Sequence, residues 1–311
     1  MDRSCVECYY FLVAVMLPAP FTAEFLNRLE VLRLRTRKDV LGNRPGAYSS
    51  PRRGTSLEFA DYRKYSPGDD LRYVDWGIFA RSDRLYVRLF HEEVDLFAYI
   101  FIDASASMAF PSIKEKFAPA CNLAVALSYV VLANHDHVRL HSLKDENAAA
   151  SPFYRGRQRM RDLIHFVSSV APAGALEPAP CLGNHLKHIR RPGKAILISD
   201  FLVSADAYQR GLNLLRAFNL DISVIQVLSR EEIEPALPRG ELGLIDSENF
   251  SELRLEWSET LRREYQEKLV RHNRELKSFC HQNGIHYSFY PTDGDLGRFV
   301  LKTLPATGLF R

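Results

Sequence analysis

Three predominantly apolar stretches, each one strand long, constrain this chain more than any other feature. They are "LFAYIFI" (Leu96 to Ile102), "KAILIS" (Lys194 to Ser199) and "DISVIQVL" (Asp221 to Leu228). A strand that is apolar at most positions, rather than at alternate ones, has both of its faces covered. Helix-length segments separate the three: Ala120 to Asn134, apolar on nearly all sides, then Gly156 to Val170, then Ala205 to Asn219. "HVRLHSL" (His137 to Leu143) alternates as a further strand. Strands and helices in this order predict an α/β fold: a doubly wound, mostly parallel sheet covered on both faces.

Outside this rhythm the chain changes character. Phe21 to Leu34 reads as an amphipathic helix, and "GNRPGAYSSPRRGTS" (Gly42 to Ser56) has loop composition. A polar block, Leu57 to Phe90, ends in the alternating "RLYVRLF". After the third apolar strand, "ELGLIDSENFSELRLEWS" places two short alternating runs around "DSEN", the chemistry of a hairpin. A long charged helix over Thr260 to Asn283, the strand "IHYSFY" and a helix over Leu296 to Leu304 complete the chain. The expected organisation is an N-terminal extension (1–20), a helix with the first segment of a small β-rich subdomain (21–94) and the α/β domain (95–230). A hairpin (231–258) is expected to join that subdomain, and residues 259–311 to complete the α/β domain.

The 311 residues carry 46% hydrophobic and 25% charged side chains, ordinary for a chain that builds its core without staples. A net charge of +3 gives no reason to expect nucleic acid. Eight Lys/Arg lie between Arg28 and Arg53 against only Glu30 and Asp39, which reads first as a solvated basic segment. Five scattered cysteines do not form a disulfide framework, so reduced thiols in a cytoplasmic protein are expected. Cys5 and Cys8 form a C-x-x-C without the second pair that a zinc site needs. Tyr9 to Leu17 is apolar over only nine residues, and Arg3 is offset by Asp2 and Glu7. A non-secreted chain without stable membrane insertion is therefore expected.

The chemistry collects at the strand ends, where open parallel sheets bind their ligands. Asp103 follows the first apolar strand, Ser105 and Ser107 occupy the loop after it, and Asp200 follows the second. Carboxylate and hydroxyl oxygens are hard ligands suited to Mg²⁺ or Mn²⁺. Asp103, Ser105, Ser107 and Asp200 are accordingly the expected metal site. Two carboxylates and neutral hydroxyls would leave such an ion electrophilic, with an open position for a carboxylate from another molecule. The other reading of the same residues is a turn in which Asp103 and Ser105 make local hydrogen bonds and no ion is held.

"DASAS" after an apolar strand, with "LISDF" at a later one, resembles the metal-ion-dependent adhesion site of von Willebrand factor A domains. Upstream, "LEFADYRKYSPGDDLRYVDWGIFAR" resembles the signature of the bacterial domain-of-unknown-function family fifty-eight. "LIDSEN" and "REYQEKLVRHNRELKSFCHQNGIHYSFYPTD" are similar to that family as well, so that the resemblance runs from about Phe21 to the C-terminus. It implies a Rossmann-type sheet like that of von Willebrand A domains and a non-enzymatic protein-interaction module. It also implies a protein partner, a MoxR-type AAA+ ATPase that the module assists in assembling or maturing a complex. One departure stands out. Adhesion sites of this kind add a threonine from an intermediate loop, and this chain has none between Thr55 and Thr260. The corresponding loop reads "PAGALEPAPCLGNHLKHI", which puts the missing ligand near Pro180 or Cys181, with Glu177 or a backbone carbonyl as the available substitutes. A metal-independent scaffold with a degenerate site is thus the alternative, and an unrecognised hydrolase the least favoured reading.

Other clusters have plainer readings. Asp69, Asp70 and Asp75 beside Arg63, Arg72 and Trp76 read as a charge network, with Pro67-Gly68 a turn whose aspartates bond backbone amides. His135, His137 and His141 read as a mix of loop and surface positions rather than as metal ligands. No G-x-S-x-G elbow, P-loop or G-x-G-x-x-G follows a strand.

Overall fold

In the computed structural model, residues 21–36, 58–91, 95–144, 149–238, 240–245 and 252–310 are described. The N-terminal C-x-x-C, the Tyr9 to Leu17 run, most of the basic stretch and the Gly42 to Ser56 loop lie outside them. The chain divides into two compact units, residues 43–95 and residues 1–42 with 96–311.

The larger unit opens with helix α1 (Ala23–Leu29), shorter than the Phe21 to Leu34 helix that periodicity predicts. Thr22 caps its start, and Leu34 instead forms an antiparallel bridge with Phe310. The smaller unit contains strand β1 (Glu58–Lys64), helix α2 (Trp76–Ser82) and strand β2 (Tyr86–His91). β1 and β2 pair antiparallel, with a register shift between Phe59 and Asp61. The aspartates of this unit make the local bonds that turn chemistry predicts. Asp69 accepts from Ser66 N, Asp70 from Arg72 N, and Asp75 caps α2 by accepting from Gly77 N and Ile78 N.

The α/β sheet follows. Strand β3 (Phe97–Asp103) leads through a π-helical turn, Ile113–Phe117, into helix α3 (Ala118–Ala133). Strand β4 (His137–Leu143) carries at its edge the short antiparallel strands β5 (Ala149–Ala150) and β6 (Tyr154–Arg155). Helices α4 (Met160–Ser169) and α5 (Pro178–Leu186) precede strand β7 (Gly193–Ser199). Helix α6 (Ala205–Ala217), strand β8 (Leu220–Leu228) and the short helix α7 (Arg230–Ile233) come next. Strands β9 (Gly240–Ile245) and β10 (Glu252–Trp257) form a ribbon, and helix α8 (Glu259–Gln282) and strand β11 (His286–Pro291) complete the sheet.

The strand order is β11-β8-β7-β3-β4, with every pair of these strands parallel. Numbered along the chain, this is the doubly wound 2-1-3-4-5 order. Burial explains the predominantly apolar strands. Ala98, Ile100 and Ile102 of β3 pack on one face with Leu123, Leu127 and Val130 of α3. Phe97, Tyr99 and Phe101 pack on the other with Leu182 of α5, Leu212 of α6 and Leu276 of α8. Each buried Leu, Ile, Val or Phe among them contributes about 1.5–3 kcal/mol on leaving water. The helical stretch Ile113–Ala133 is long and apolar enough to cross a membrane, a length the apolar run read from the sequence did not reach. Most of it is buried within the protein, as the all-round apolar pattern predicts for a core helix.

Two local differences from the sequence reading have physical causes. Pro178–Leu186 is a helix, started by Pro178 in its first turn, where proline's fixed φ suits helix initiation. The closing helix runs without a gap through Leu296–Arg298, Phe299–Thr303 and Leu304–Ala306, but its middle segment is π-helical, with Pro305 in the last turn. The β9 and β10 strands pair antiparallel, Gly240 opposite Trp257 and Ile245 opposite Glu252.

Candidate functional site at the sheet switch point

In the 2-1-3-4-5 order, the chain passes from β3 to β4 on one side and then crosses back from β4 to β7 on the other side of β3. The crevice between the C-terminal ends of β3 and β7 is therefore the topological switch point. Register sets the site there. Ile102 pairs with Ile198, so Asp103 and Ser199 come next on neighbouring strands, and Asp200 stands one residue beyond.

All four residues expected from the sequence meet at this point. Asp103 Oδ1 accepts from Ser105 N at 2.9 Å and from Ser105 Oγ at 2.6 Å. Ser105 Oγ lies 3.0 Å from Ser107 Oγ, which lies 3.0 Å from Asp200 Oδ2. Asp200 Oδ1 accepts from Leu202 N at 3.0 Å, and Phe201 between them takes a left-handed conformation, φ 54°. Such a conformation is costly for a bulky residue and is held here by the turn bonds on either side.

Three further residues belong to the centre, and the sequence reading missed them. Ser199 Oγ donates to Asp103 Oδ2 and accepts from Phe201 N. Lys116, in the π-helical turn before α3, is fully buried. Its ammonium donates to Asp200 Oδ2 at 2.7 Å, to Glu232 Oε1 at 2.6 Å and to Ser107 O at 3.1 Å. Glu232 is fixed by a capping box with Ser229 at the start of α7. The available signal for Lys116 was a lysine in "SIKEKFAPAC", two residues ahead of a core helix. For Glu232 it was the S-x-x-E spacing in "SREE". Gln226 adds a brace by donating to Asp200 O and to Asn273 Oδ1.

Burial and charge act against each other across this cluster. Burial, and after it the charge of Asp200, push the Asp103 carboxyl up to about 6, while the bonds from Ser105 and Ser199 act in the opposite direction. Burial raises Glu232 despite its partner Lys116. Burial opposes the charge on Lys116, but Asp200 and Glu232 together outweigh it, and its pKa lies above the ordinary lysine value.

The expected intermediate loop is present, but a different part of it reaches the site. Ala106 N donates to Gly174 O and Ala173 N donates to Ala104 O, which stitches residues 173–174 to the Asp-x-Ser-x-Ser turn through the backbone. Pro180 and Cys181 instead lie inside α5, where Cys181 is buried, and Glu177 is the residue that precedes that helix. No side chain of this loop supplies the oxygen that the missing threonine would have given.

These donors do not fit a Mg²⁺ or Mn²⁺ ion. Such an ion wants near-octahedral oxygens at about 2.0–2.1 Å for Mg²⁺. Here each oxygen of Asp103 and Asp200 already has a protein donor, and the ammonium of Lys116 rests on the carboxylate oxygen nearest Ser107. No group of three or more His, Cys, Asp and Glu side chains arranged for a metal occurs among the described residues.

The model of the family described as "Protein of unknown function DUF58" matches residues 61–275. The chain belongs to this family. Among curated relatives, this DUF58 chain is 31% identical over 218 residues to the uncharacterized proteins Mb1516 of Mycobacterium bovis and Rv1480 of Mycobacterium tuberculosis. The match covers 68% of the DUF58 chain and 64% of each relative, so the chain spans less than two thirds of their length. Among solved structures it is similar to BatB from Bacteroides thetaiotaomicron, with 13% identity, a TM-score of 0.41 and coverage of 68% of this chain and 98% of that one. It is also similar to the SpRpn10 VWA domain, at 14% identity and a TM-score of 0.37, over 68% and 96% of the two chains. A third likeness is to the manganese-loaded Plasmodium vivax TRAP protein, at 18% identity and a TM-score of 0.31, over 42% and 57%.

The histidines of "HDHVRLHS" take three different places. His135 sits in a turn at φ 59°, and His137 stacks on Phe97 with ring centroids 4.6 Å apart. His141, expected among loop and surface positions, is fully buried. It meets His185 with the two Nδ1 atoms 2.9 Å apart. His185 Nε2 faces Ser142 O at 3.1 Å, and a carbonyl only accepts, so Nε2 carries the proton. His185 Nδ1 is then the acceptor and His141 Nδ1–H the donor. Neutral rings satisfy this arrangement.

Proposed function

We propose that this protein is a non-enzymatic interaction module of the cytoplasm whose docking face is the rim of the switch-point crevice. One observation carries the reading: the polar centre is buried and internally bonded, while the loops that hold it present apolar side chains to solvent. Asp103, Ser105, Asp200, Lys116 and Glu232 are all buried. Phe110 and Ile113, after β3, are 51% and 52% exposed, and Leu202, after β7, is 40% exposed. A reaction centre has to bring its polar groups to a substrate; here those groups are spent on holding two loops in place. Exposed apolar anchors on rigid loops suit protein recognition.

The partner proposed from the family resemblance is a MoxR-type AAA+ ATPase, with the module assisting it in assembling or maturing a complex. The adhesion-site form of this reading has Mg²⁺ or Mn²⁺ on Asp103, Ser105, Ser107 and Asp200 capture a partner carboxylate. The internal bonding of those four residues favours the metal-independent form. Reduced thiols at Cys121 and Cys280 accord with a reducing compartment.

The test is binding of the purified chain to a purified MoxR-type ATPase from the same organism, measured by fluorescence anisotropy. Phe110→Asp and Leu202→Asp should each weaken binding by about tenfold or more at unchanged Tm. Affinity that is indifferent to both substitutions would place the docking face elsewhere. No binding to the ATPase would remove it as the partner.

A further inference from the structure

Lys116 occupies a chemically particular position. Its ammonium has three donors and meets three acceptors, Asp200 Oδ2, Glu232 Oε1 and Ser107 O, so it is fully coordinated by the protein. It bonds a strand-end carboxylate and the carbonyl of a turn serine, groups from the two loops on either side of the switch point. Its stem enters from the π-helical turn Ile113–Phe117, an irregularity that interrupts the regular hydrogen bonding of the longer helical stretch and sets Lys116 inside the protein. Glu232, from α7, supplies a second carboxylate that an ion held by Asp103 and Asp200 alone would not require.

We propose that the Lys116 ammonium is the resident cation of this site, covalently tethered, and that it takes the place of a divalent ion in joining the two loops. The charge logic is direct. An ion placed on Asp200 Oδ2 would share that oxygen with a buried ammonium, and like charges in such surroundings repel strongly. Binding a divalent ion would first require Lys116 to leave, but its partners are buried and its exit would strand Glu232. The inference concerns only which cation fills the site, so it stands or falls apart from the docking proposal.

Titration of the full chain with Mn²⁺, followed by calorimetry and by thermal unfolding, tests this. The wild type should show no Mn²⁺ affinity tighter than about 1 mM and no Mn²⁺-dependent rise in Tm, since the weakest functional divalent-ion sites lie near that value. Lys116→Met removes the charge and keeps the length of the stem. It should acquire Mn²⁺ affinity and a Tm that climbs with Mn²⁺ concentration, and adding Asp103→Asn should abolish both gains. A folded Lys116→Met that acquires no affinity overturns the proposal. If Lys116→Met does not fold, the wild type decides: submillimolar Mn²⁺ binding that Asp103→Asn removes overturns the proposal, and absence of such binding upholds it.

Discussion

Lys116 and Asp200 stand 84 positions apart in the chain and form a 2.7 Å ion pair in which neither side chain reaches solvent. The pair connects the loop after β3 to the loop after β7, so its loss acts on both. Removing one partner of a buried pair typically costs about 3–5 kcal/mol, because the other charge is left uncompensated. Lys116→Met and Asp200→Asn should each destabilise the protein by that order in urea unfolding. Combining Lys116→Met with Asp200→Asn and Glu232→Gln should recover a large part of the loss, since no buried charge of the triad then lacks a partner.

The His141–His185 pair makes a pH prediction. Burial, above all, holds His141 well below the ordinary histidine range and His185 at about 4. Arg139 and His188 face both rings and act in the same direction. An unfolded histidine titrates near 6.5. Between about 6.5 and 4 the unfolded chain therefore binds protons that the folded one refuses, and the contribution of the pair, complete above 6.5, is lost as pH falls. Asp103 works the other way. Its folded value of about 6 lies above the unfolded one, so its burial cost is full above 6 and eases on acidification. Comparing wild type with a His141→Leu/His185→Leu variant separates the two effects. The fall in Tm between pH 7 and 4.5 should be smaller in the variant.

Asp75 organises the 43–95 unit. It caps α2 through Gly77 N and Ile78 N, and its Oδ2 accepts from Arg88 at 2.8 Å and from the Tyr62 hydroxyl at 3.1 Å. The Arg88 bond and then the backbone amide of Ile78 hold its carboxyl down at about 2. Because this value is depressed, the bonds of Asp75 contribute above the ordinary carboxylate pKa and are lost as pH falls towards 2. Asp75→Ala should accelerate amide exchange at Gly77 and Ile78 at neutral pH. Exchange there that is unaffected would show that α2 starts without this cap.

Gly193 opens β7 where the backbone of β3 comes closest. A Cβ at this position would collide with Phe97 O. Gly193→Ala should therefore force β3 and β7 apart and destabilise the protein by about 1–3 kcal/mol or more, the cost of overpacking. The same substitution at Gly183, inside α5, whose Cβ would meet only Leu214 at an ordinary 3.7 Å, serves as the control and should hold or slightly raise Tm, since alanine favours a helix interior over glycine by about 0.5–1 kcal/mol.

The sheet was readable from the sequence because its strands are buried on both faces. β3, β7 and β8 fall on the three apolar runs, and α3 falls on the run that is apolar all round. Where local pattern competes with tertiary context, legibility falls. Pro178–Leu186 looks like a loop by composition, yet Leu182 and Leu186 pack it against the sheet. The site was legible to the same extent. Residues at strand ends are placed by register, so Asp103 and Asp200 could be brought together from the pattern alone. Lys116 and Glu232 could not be, because each is positioned by a short irregular element: one π-helical turn, and one capped turn of helix 116 residues further on. Nothing in a lysine codon distinguishes a solvated ammonium from one that a π-helical turn carries inside.

A counter-ion that is itself a side chain has consequences for how the crevice behaves in a cell. It is delivered once per polypeptide, in fixed stoichiometry, at the moment the segment from Ile113 to Phe117 is synthesised. Chelators have nothing to extract from it, and a shortage of divalent ions leaves it filled. Whatever engages the surrounding loops meets the same tethered cation, set by the gene rather than by the ionic composition of the surroundings.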